Sequence, residues 1–428
     1  MKVSKYTSIV NLEDKHTLIY GAVSGKFFVI KNKVVRDFQG ILNLVDTDTS
    51  LYDRLSKAQV LIDENENETE QLKIKIDNAV NDDSIYRLHI NPTLDCNFKC
   101  WYCYENHHCG TLMSEQTIEQ VISYIGKTLE RIPKLKEFHI GFFGGEPLLG
   151  FDEVVKLLIE RAQQLCEVRD VVLSLQFTSN GYLLNDEIIS FLAKYPVSFQ
   201  ITLDGDKEQH DKTRFSKGGI GSFDKIIENI LSLVRNKIYV IIRINYTTQN
   251  AEHLNNILQY FEDCPLEERN LFVFDFHRVW QQKERKDDRT DELVGDIKHL
   301  FKDKGFNVSA FNHSDAAHAC YADKTNYVLI NYNGEAFGCT ARDFVSENRI
   351  GMLQPDGTIL YDEPVYSERA KAKFKNSVCH ECRIAPICGG GCRQRAYESL
   401  GAGNRCVYNY DEEDKDAKIL DIFYQSFC

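Results

Sequence analysis

No run of apolar residues in this chain is long enough to cross a bilayer. The opening residues, MKVSKYTSIVNLEDKH, lack the apolar core of a secretory signal, so the expected location is the cytoplasm, with no membrane partner. Positive charge is scarce too: 51 Lys and Arg face 64 Asp and Glu, a formal charge of −13. A phosphate backbone needs a basic stripe and none stands out, which excludes nucleic acid as the main partner. The basic run QQKERKDDR around Lys283 is interleaved with acids, the pattern of a solvated helix face. What is left is an ordinary globular profile, 43% hydrophobic and 27% charged. Its 428 residues suffice for two or three domains with separate cores.

Cysteine is the abundance, with fourteen in the chain. Reducing conditions disfavour structural disulfides, so clustered thiols point instead to metal or iron–sulfur centres. Residues 1–80 read as a small separate module. HTLIYGAVSGKFFVI carries two β-prone runs around Ser24-Gly25, a hairpin pattern, and FQGILNLV and SLYDRLSKAQVLI read as short helices. The acidic stretch DENENETEQLK is either a linker or the start of a solvated helix.

From Tyr86 the texture changes. Six β-rich runs (YRLHINPTL, FHIGFFGG, VVLSLQFTS, VSFQITLDG, YVIIRINYT and LFVFDFHRV) alternate with amphipathic helical patterns. Such repeats predict an α/β fold with a parallel sheet, open or curled into a partial barrel, over residues 86–310. Ligands then collect at the carboxyl ends of the strands. Residues 311–428 form a third expected domain and carry eight of the fourteen cysteines.

Just after the first of these strands, CNFKCWYC places Cys96, Cys100 and Cys103 on one short loop. Three thiolates can hold three corners of a 4Fe–4S cluster and leave one iron open. A zinc loop or redox-sensitive thiols are the alternatives on spacing alone, although zinc usually takes four ligands. The C-x3-C-x2-C loop, with Tyr102 before its last cysteine, resembles the signature of the radical S-adenosylmethionine (radical SAM) superfamily. The resemblance continues with GGEP (Gly144, Gly145, Glu146 and Pro147) after the second strand and TSNG (Thr178 to Gly181) after the third. TLDG (Thr202 to Gly205) follows on the fourth and RINYT (Arg243 to Thr247) on the fifth.

The resemblance implies S-adenosylmethionine as cofactor, held by Gly144, Gly145, Glu146, Asn180, Thr202 and Arg243. Glu146 is an acceptor suited to the ammonium and Arg243 a permanent cation suited to the carboxylate. Asn180 and Thr202 are hydrogen-bonding candidates for the carboxylate or ribose. A salt bridge within the barrel is the plainer role for Arg243, and turn chemistry the plainer role for Asn180.

Towards the carboxyl end stand Cys320, then Gly334 and Cys339 in NGEAFGC. Cys379, Cys382, Cys388 and Cys392 follow in CHECRIAPICGGGC, and then Cys406. The order C…G-x4-C…C-x2-C-x5-C-x3-C…C resembles the seven-cysteine SPASM extension of radical SAM peptide-modifying enzymes. A zinc ribbon would use four of these thiols and leave three unexplained.

The resemblance implies one auxiliary cluster on Cys379, Cys382, Cys388 and Cys406 and another on Cys320, Cys339 and Cys392. With the cluster at Cys96, that makes three 4Fe–4S clusters. HSDAAHACYADKTN supplies no further cysteine, so the second auxiliary cluster is expected to have an open iron. His313 and His318 read as surface residues, Cys166 and Cys264 as buried small hydrophobes. Cys109 lies on the loop beyond the first cluster motif.

The resemblance further implies a partial (β/α)6 TIM-like barrel, an N-terminal winged-helix-like leader-binding module and a C-terminal SPASM domain. The expected enzyme is a maturase of ribosomally synthesised peptides (RiPPs). It takes a hydrogen atom from a precursor made of leader and core, and forms a thioether or carbon–carbon crosslink. Electrons come from a donor such as flavodoxin or ferredoxin. An anaerobic sulfatase-maturing, formylglycine-generating enzyme is the alternative, but there an Asp follows the cysteine of G-x4-C. Here Thr340 does, and the nearest acid is Asp343. A non-catalytic leader-binding or electron-transfer iron–sulfur protein is the alternative of another class.

Overall fold

The computed structural model describes residues 1–12, 15–46, 48–282, 289–309, 320–401 and 403–427. The run around Lys283, His313, His318 and Cys428 lie outside the described residues. The chain forms two compact units: Met1–Asp82 with Phe311–Asn326 and Glu363–Cys428, and Asp83–Ala310 with Tyr327–Asp362. The expected bounds at 1–80, 86–310 and 311–428 differ from this division, in which residues 327–362 fall with the strands of the 86–310 region.

In the first unit, β1 (Lys2–Val3) pairs with β5 (Leu61–Ile62), and β2 (Thr7–Asn11), β3 (Thr17–Gly21) and β4 (Lys26–Ile30) form an antiparallel sheet in that order. The hairpin expected around Ser24-Gly25 is the β3–β4 connection. Helices α1 (Phe38–Val45), α2 (Thr49–Lys57) and α3 (Glu68–Val80) follow the sheet. Each starts at a side chain that accepts an otherwise orphaned backbone N–H: Asp37 from Gly40, Asp48 from Leu51 and Asn67 from Glu70. The acidic stretch at Asp63 thus leads into a helix. The last residues of SLYDRLSKAQVLI, read as helix, make β5 instead, because Leu61 and Ile62 find β1 as partner.

Every residue of β3 is buried because both faces of its sheet are covered. Ile19 and Phe28 pack with Ile41, Leu44, Leu51 and Leu55 of α1 and α2. Leu18, Tyr20 and Tyr6 pack on the other side with Leu72 and Ile76 of α3 and with Phe374, Ile384 and Ile419 of the carboxyl-terminal region. Lys5 pairs with Glu381 at 2.8 Å, and the Tyr6 hydroxyl donates to the His380 carbonyl.

The second unit is built on six parallel strands: β6 (Ile85–Ile90), β7 (Glu137–Phe142), β8 (Val172–Ser179), β9 (Val197–Leu203), β10 (Tyr239–Tyr246) and β11 (Phe272–Arg278). They lie side by side in chain order, the expected (β/α)6 arrangement. Helices α4 (Glu115–Arg131), α5 (Lys156–Glu167), α6 (Asp186–Leu192), α7 (Lys207–Thr213) and α8 (Phe223–Arg235) supply crossovers. The short strand β12 (Asn307–Val308) pairs beyond β11.

Beyond β6, β13 (Tyr327–Ile330) pairs parallel to it, and β14 (Glu335–Phe337), β15 (Arg349–Leu353) and β16 (Ile359–Tyr361) continue the same sheet antiparallel. These strands are why residues 327–362 join the barrel unit: β6 offers a free edge, and the all-buried β13 fills it.

Along β8, β9, β10 and β11 burial alternates residue by residue. The outward row packs under helices. Phe142, Phe177 and Phe199 stack across three adjacent strands with ring centroids 4.9 Å apart at each step. The inward row is polar, with Gln176, Thr178, Gln200, Thr202, Arg243 and Asn245. Among the described residues no helix is long and apolar enough to cross a membrane.

Phe177 is fully buried in the middle of the stack. Phe177→Ala is expected to lower stability by about 3–5 kcal/mol. Val172→Ala, at an exposed strand start, should stay within about 0.5 kcal/mol. Denaturant unfolding of the two variants checks the contrast.

Candidate active site

The strands of the barrel unit end at one cavity of about 200 Å³. Cys96, Cys100 and Cys103 line it from the loop after β6, Gly144 and Gly145 from the loop after β7, and Asn180 from the loop after β8. Thr202 on β9 and Arg243 on β10 complete it. Of the residues expected to hold S-adenosylmethionine, five line this space and Glu146 does not.

Local packing explains the glycines. The chain after β7 runs against the backbone that carries the first cysteine, with Gly145 N donating to Thr93 O and Glu146 N to Asp95 O at 2.8 Å. A Cβ at Gly145 would stand 2.1 Å from the Asp95 carbonyl oxygen, and one at Gly144 2.5 Å from that of Thr93. Gly144 also has φ +103. No other residue fits there. On its far side the cysteine loop is held by a bridge from Phe98 to Ser216 and by Lys217, which pairs with Asp95 at 2.8 Å.

Glu146 is turned into the chain. Its carboxylate is fully buried and accepts from the Asn180 N–H at 2.7 Å, the Ser179 hydroxyl at 2.8 Å and the Leu148 N–H at 3.1 Å. Burial pushes its carboxyl above the usual range, against the pull of those bonds. Both oxygens accept from the chain, so Glu146 positions the β8 loop. Asn180 has a double role. Its amide donates to Asn97 Oδ1 at 2.7 Å and its oxygen accepts from the Tyr182 N–H, which ties the β8 loop to the cysteine loop. Arg243 donates to Asn245 at 3.3 Å, and no ion pair to a carboxylate forms at its guanidinium among the described residues. The salt-bridge role is not the one seen.

The thiols suit a metal centre. Burial pushes Cys96 up to about 12 and Cys103 up to about 11, and raises Cys100. Neutral thiols in such a place ionise only when a cation compensates the charge, so binding iron here expels protons.

Residues without a motif add to the cavity. Arg214 lines it, fully buried over the Phe98 ring, and donates to the Tyr102 hydroxyl at 2.8 Å; its Nε has no partner. Tyr102 in turn donates to Asp204 at 2.7 Å. Burial pushes Asp204 up to about 6 against the pull of Arg214. Tyr102 was visible in sequence as the aromatic of the cysteine motif; nothing marks Arg214. Glu105 also lines the cavity, with a buried carboxyl oxygen that has no partner, and burial beside Asp343 pushes it well above the carboxylate range.

In the first unit a second cavity, about 280 Å³, is lined by Cys379, Cys382, Cys388 and Cys406. Gly389, Gly390 and Gly391 are consecutive positive-φ residues that bend the chain around it. Burial pushes Cys379 up to about 12 and Cys388 up to about 11. Among the described residues no three His, Cys, Asp or Glu side chains converge as for a single ion. The four thiols instead surround a space, which suits a many-atom cluster. Cys320 and Cys392 belong to this unit, and Cys339 to the barrel unit. Cys166 and Cys264 are buried; Cys109 is exposed, 3.6 Å from the Lys217 ammonium.

Glu146→Gln would set an amide N–H against the Asn180 N–H or the Leu148 N–H. A loss of about 1–3 kcal/mol in stability is expected, with weaker binding of S-adenosylmethionine as Asn180 shifts; denaturant unfolding and calorimetric titration check the two.

The sequence model of the radical SAM superfamily matches residues 90–261. The radical SAM cyclopropyl synthase TigE of Paramaledivibacter caminithermalis is 20% identical over 460 aligned residues, covering 97% of this chain and 93% of that protein. A cysteine-type anaerobic sulfatase-maturating enzyme of Clostridium perfringens is 23% identical, covering 70% and 86%. The structure of Streptococcus suis SuiB bound to its precursor peptide SuiA is similar in fold, with a TM-score of 0.52 and 17% identity, covering 92% of this chain and 96% of that one. The superfamily binds S-adenosylmethionine and a 4Fe–4S cluster. Residues 90–261 form a radical SAM domain, and this protein is a radical SAM enzyme.

Proposed function

We propose that this enzyme is a maturase of a ribosomally made precursor peptide, forming a thioether or carbon–carbon crosslink. The observation that carries the reading is the amino-terminal sheet, which precedes the radical SAM domain in sequence and whose strand β4, among the described residues, pairs on one side only. An extended leader can add along β4 by main-chain hydrogen bonds while its core segment stays free for the barrel. The similarity to TigE and to SuiB with its precursor extends over nearly the whole chain, this module included.

When bound, S-adenosylmethionine and the clusters supply a 5′-deoxyadenosyl radical, which takes a hydrogen atom from the peptide, and an acceptor for the electron left over. The chain's own part is to bind and orient. Arg243 is the cation for the cofactor carboxylate, with Thr202 and Asn180 as hydrogen-bonding partners. Gly144 and Gly145 let the two loops close on each other. In this reading Cys96, Cys100 and Cys103 hold the radical cluster. Cys379, Cys382, Cys388 and Cys406 hold a closed auxiliary cluster, and Cys320, Cys339 and Cys392 a third with one ligand position open. A flavodoxin or ferredoxin supplies the electron, in the cytoplasm, whose reducing conditions suit so many thiols.

The formylglycine reading is weaker at one specific place. Thr340, not an acid, follows Cys339, and the Tyr104 hydroxyl donates to its carbonyl at 2.9 Å. Asp343, the nearest acid, accepts from the Asn106 backbone at 3.2 Å and again from its side chain. It is engaged in holding the cysteine loop.

Anaerobic co-expression with a short precursor peptide encoded next to the enzyme is expected to give a product lighter by two hydrogens per crosslink, read by mass spectrometry; a cysteine converted to an aldehyde, or a neighbourhood without such a reading frame, would count for the other reading. Replacing Cys96, Cys100 and Cys103 with Ala should abolish 5′-deoxyadenosine. Replacing Cys379 and Cys388 should spare it but end crosslinking. A leaderless core is expected to lose about 100-fold in kcat/KM.

A further inference from the structure

The sixth barrel strand carries a polar pair that no cofactor motif uses. On β11, Phe272, Phe274 and Phe276 face the helices, where Phe274 meets Phe301 edge to face with centroids 4.7 Å apart. Asp275 and His277 therefore face into the barrel. In register, Asp275 pairs with Arg243 and His277 with Asn245, and both of those β10 residues line the reaction cavity. His277 Nε2 lies 2.6 Å from Asp275 Oδ2. The side chains are 31% and 19% exposed, so the pair is neither sealed in the core nor fully open to solvent.

Three residues from two elements face this pair: Arg243 and Asn245 from β10, and Ser309 from the segment after β12. Burial pushes the Asp275 carboxyl up, but the hydrogen bonds from His277 and Ser309 and the Arg243 charge outweigh it and hold it below its ordinary range. Asp275 is thus a standing anion that orients the imidazole through Nε2 and leaves Nδ1 on the other edge of the ring. A carboxylate behind an imidazole stabilises the imidazolium that forms when the ring takes a proton. Of the other acids at the mouth, Asp204 accepts from Tyr102 and Asp343 from Asn106, while Glu105 keeps one buried carboxyl oxygen without a partner and is pushed well above the carboxylate range by burial.

We propose that His277, oriented by Asp275, is the base that removes the thiol proton from a precursor cysteine as a thioether closes. This rests on the peptide-maturase reading. The balance is simple. Closing a carbon–sulfur bond removes a hydrogen atom from carbon, taken by the deoxyadenosyl radical, and a proton and an electron from the thiol side. The S–H bond breaks, its electron pair stays on sulfur, and the proton goes to His277 Nδ1. The one surplus electron goes to an iron–sulfur acceptor.

The test compares reconstituted wild type with His277→Gln, His277→Ala and Asp275→Asn on the precursor. His277→Gln is expected to form 5′-deoxyadenosine and bind precursor as wild type does, while thioether formation falls about 100-fold or more. Asp275→Asn should fall between the two, and added imidazole should restore crosslinking to His277→Ala, which a structural role would not produce. Thermal unfolding of the cluster-free chains should be unchanged. Crosslinking by His277→Gln within about threefold of wild type overturns the proposal. So does a parallel loss of deoxyadenosine, which would make His277 part of the cofactor site. A wild type that makes deoxyadenosine but leaves the precursor unmodified overturns the peptide reading itself, and with it the thiol as proton source.

Discussion

Two loops meet at the mouth of the barrel with almost no space between their backbones. One, Thr93 to Asp95, leads into the first cysteine; the other is Gly144-Gly145-Glu146. The Gly145 and Glu146 N–H groups donate across the seam, and a single methyl at Gly145 would collide with the Asp95 carbonyl. Everything at the site depends on this contact. It sets where Cys96 stands, and the buried Glu146 passes the placement on to Ser179 and Asn180, whose amide returns to the cysteine loop at Asn97. Strands β6, β7 and β8 are thereby locked together at their carboxyl ends by about half a dozen hydrogen bonds, each of modest net worth but costly to leave unmade.

The barrel separates two needs by strand alternation. Outward-facing phenylalanines such as Phe142, Phe177 and Phe199 give the apolar burial that stabilises the unit, with stacked rings adding to area alone. Inward-facing polar residues would be costly in a sealed core. Here they line an open cavity at the strand ends, where Arg243 donates to Asn245 and forms no close ion pair among the described residues. Arg214, fully buried with an unpaired Nε beside Tyr102 and Asp204, belongs to the same economy. The first unit solves another problem. Its three-stranded sheet is covered on both faces, so the module that begins the chain and the cysteine-rich segment that ends it share one core.

Much of this was legible beforehand. The six strands, the hairpin at Ser24-Gly25, the helix over FQGILNLV and the grouping of three cysteines with Gly144, Gly145, Asn180, Thr202 and Arg243 all follow from short-range pattern and motif order. Other features were not. The sequence shows Glu146 only as part of GGEP; its three donors from Leu148, Ser179 and Asn180 appear only in the fold. Arg214, Glu105 and the Asp275–His277 pair carry no local signal, since what defines them is a neighbour far along the chain or across a strand. The four β-strands between residues 327 and 361 extend the barrel sheet because β6 leaves an edge to be paired, a fact absent from any window of sequence.

By itself, then, the sequence determined periodicity, turns and the kinds of atoms available: alternating strands, capped helices, and thiols at spacings that a cluster requires. These depend on residues within a few positions of one another. Tertiary structure decided which polar groups are consumed in holding loops and which are left facing the cavity. That choice turns on hydrogen-bond satisfaction among residues brought together by the parallel sheet, as Glu146 and Arg243 show, because a buried polar group takes its role from whichever partner reaches it.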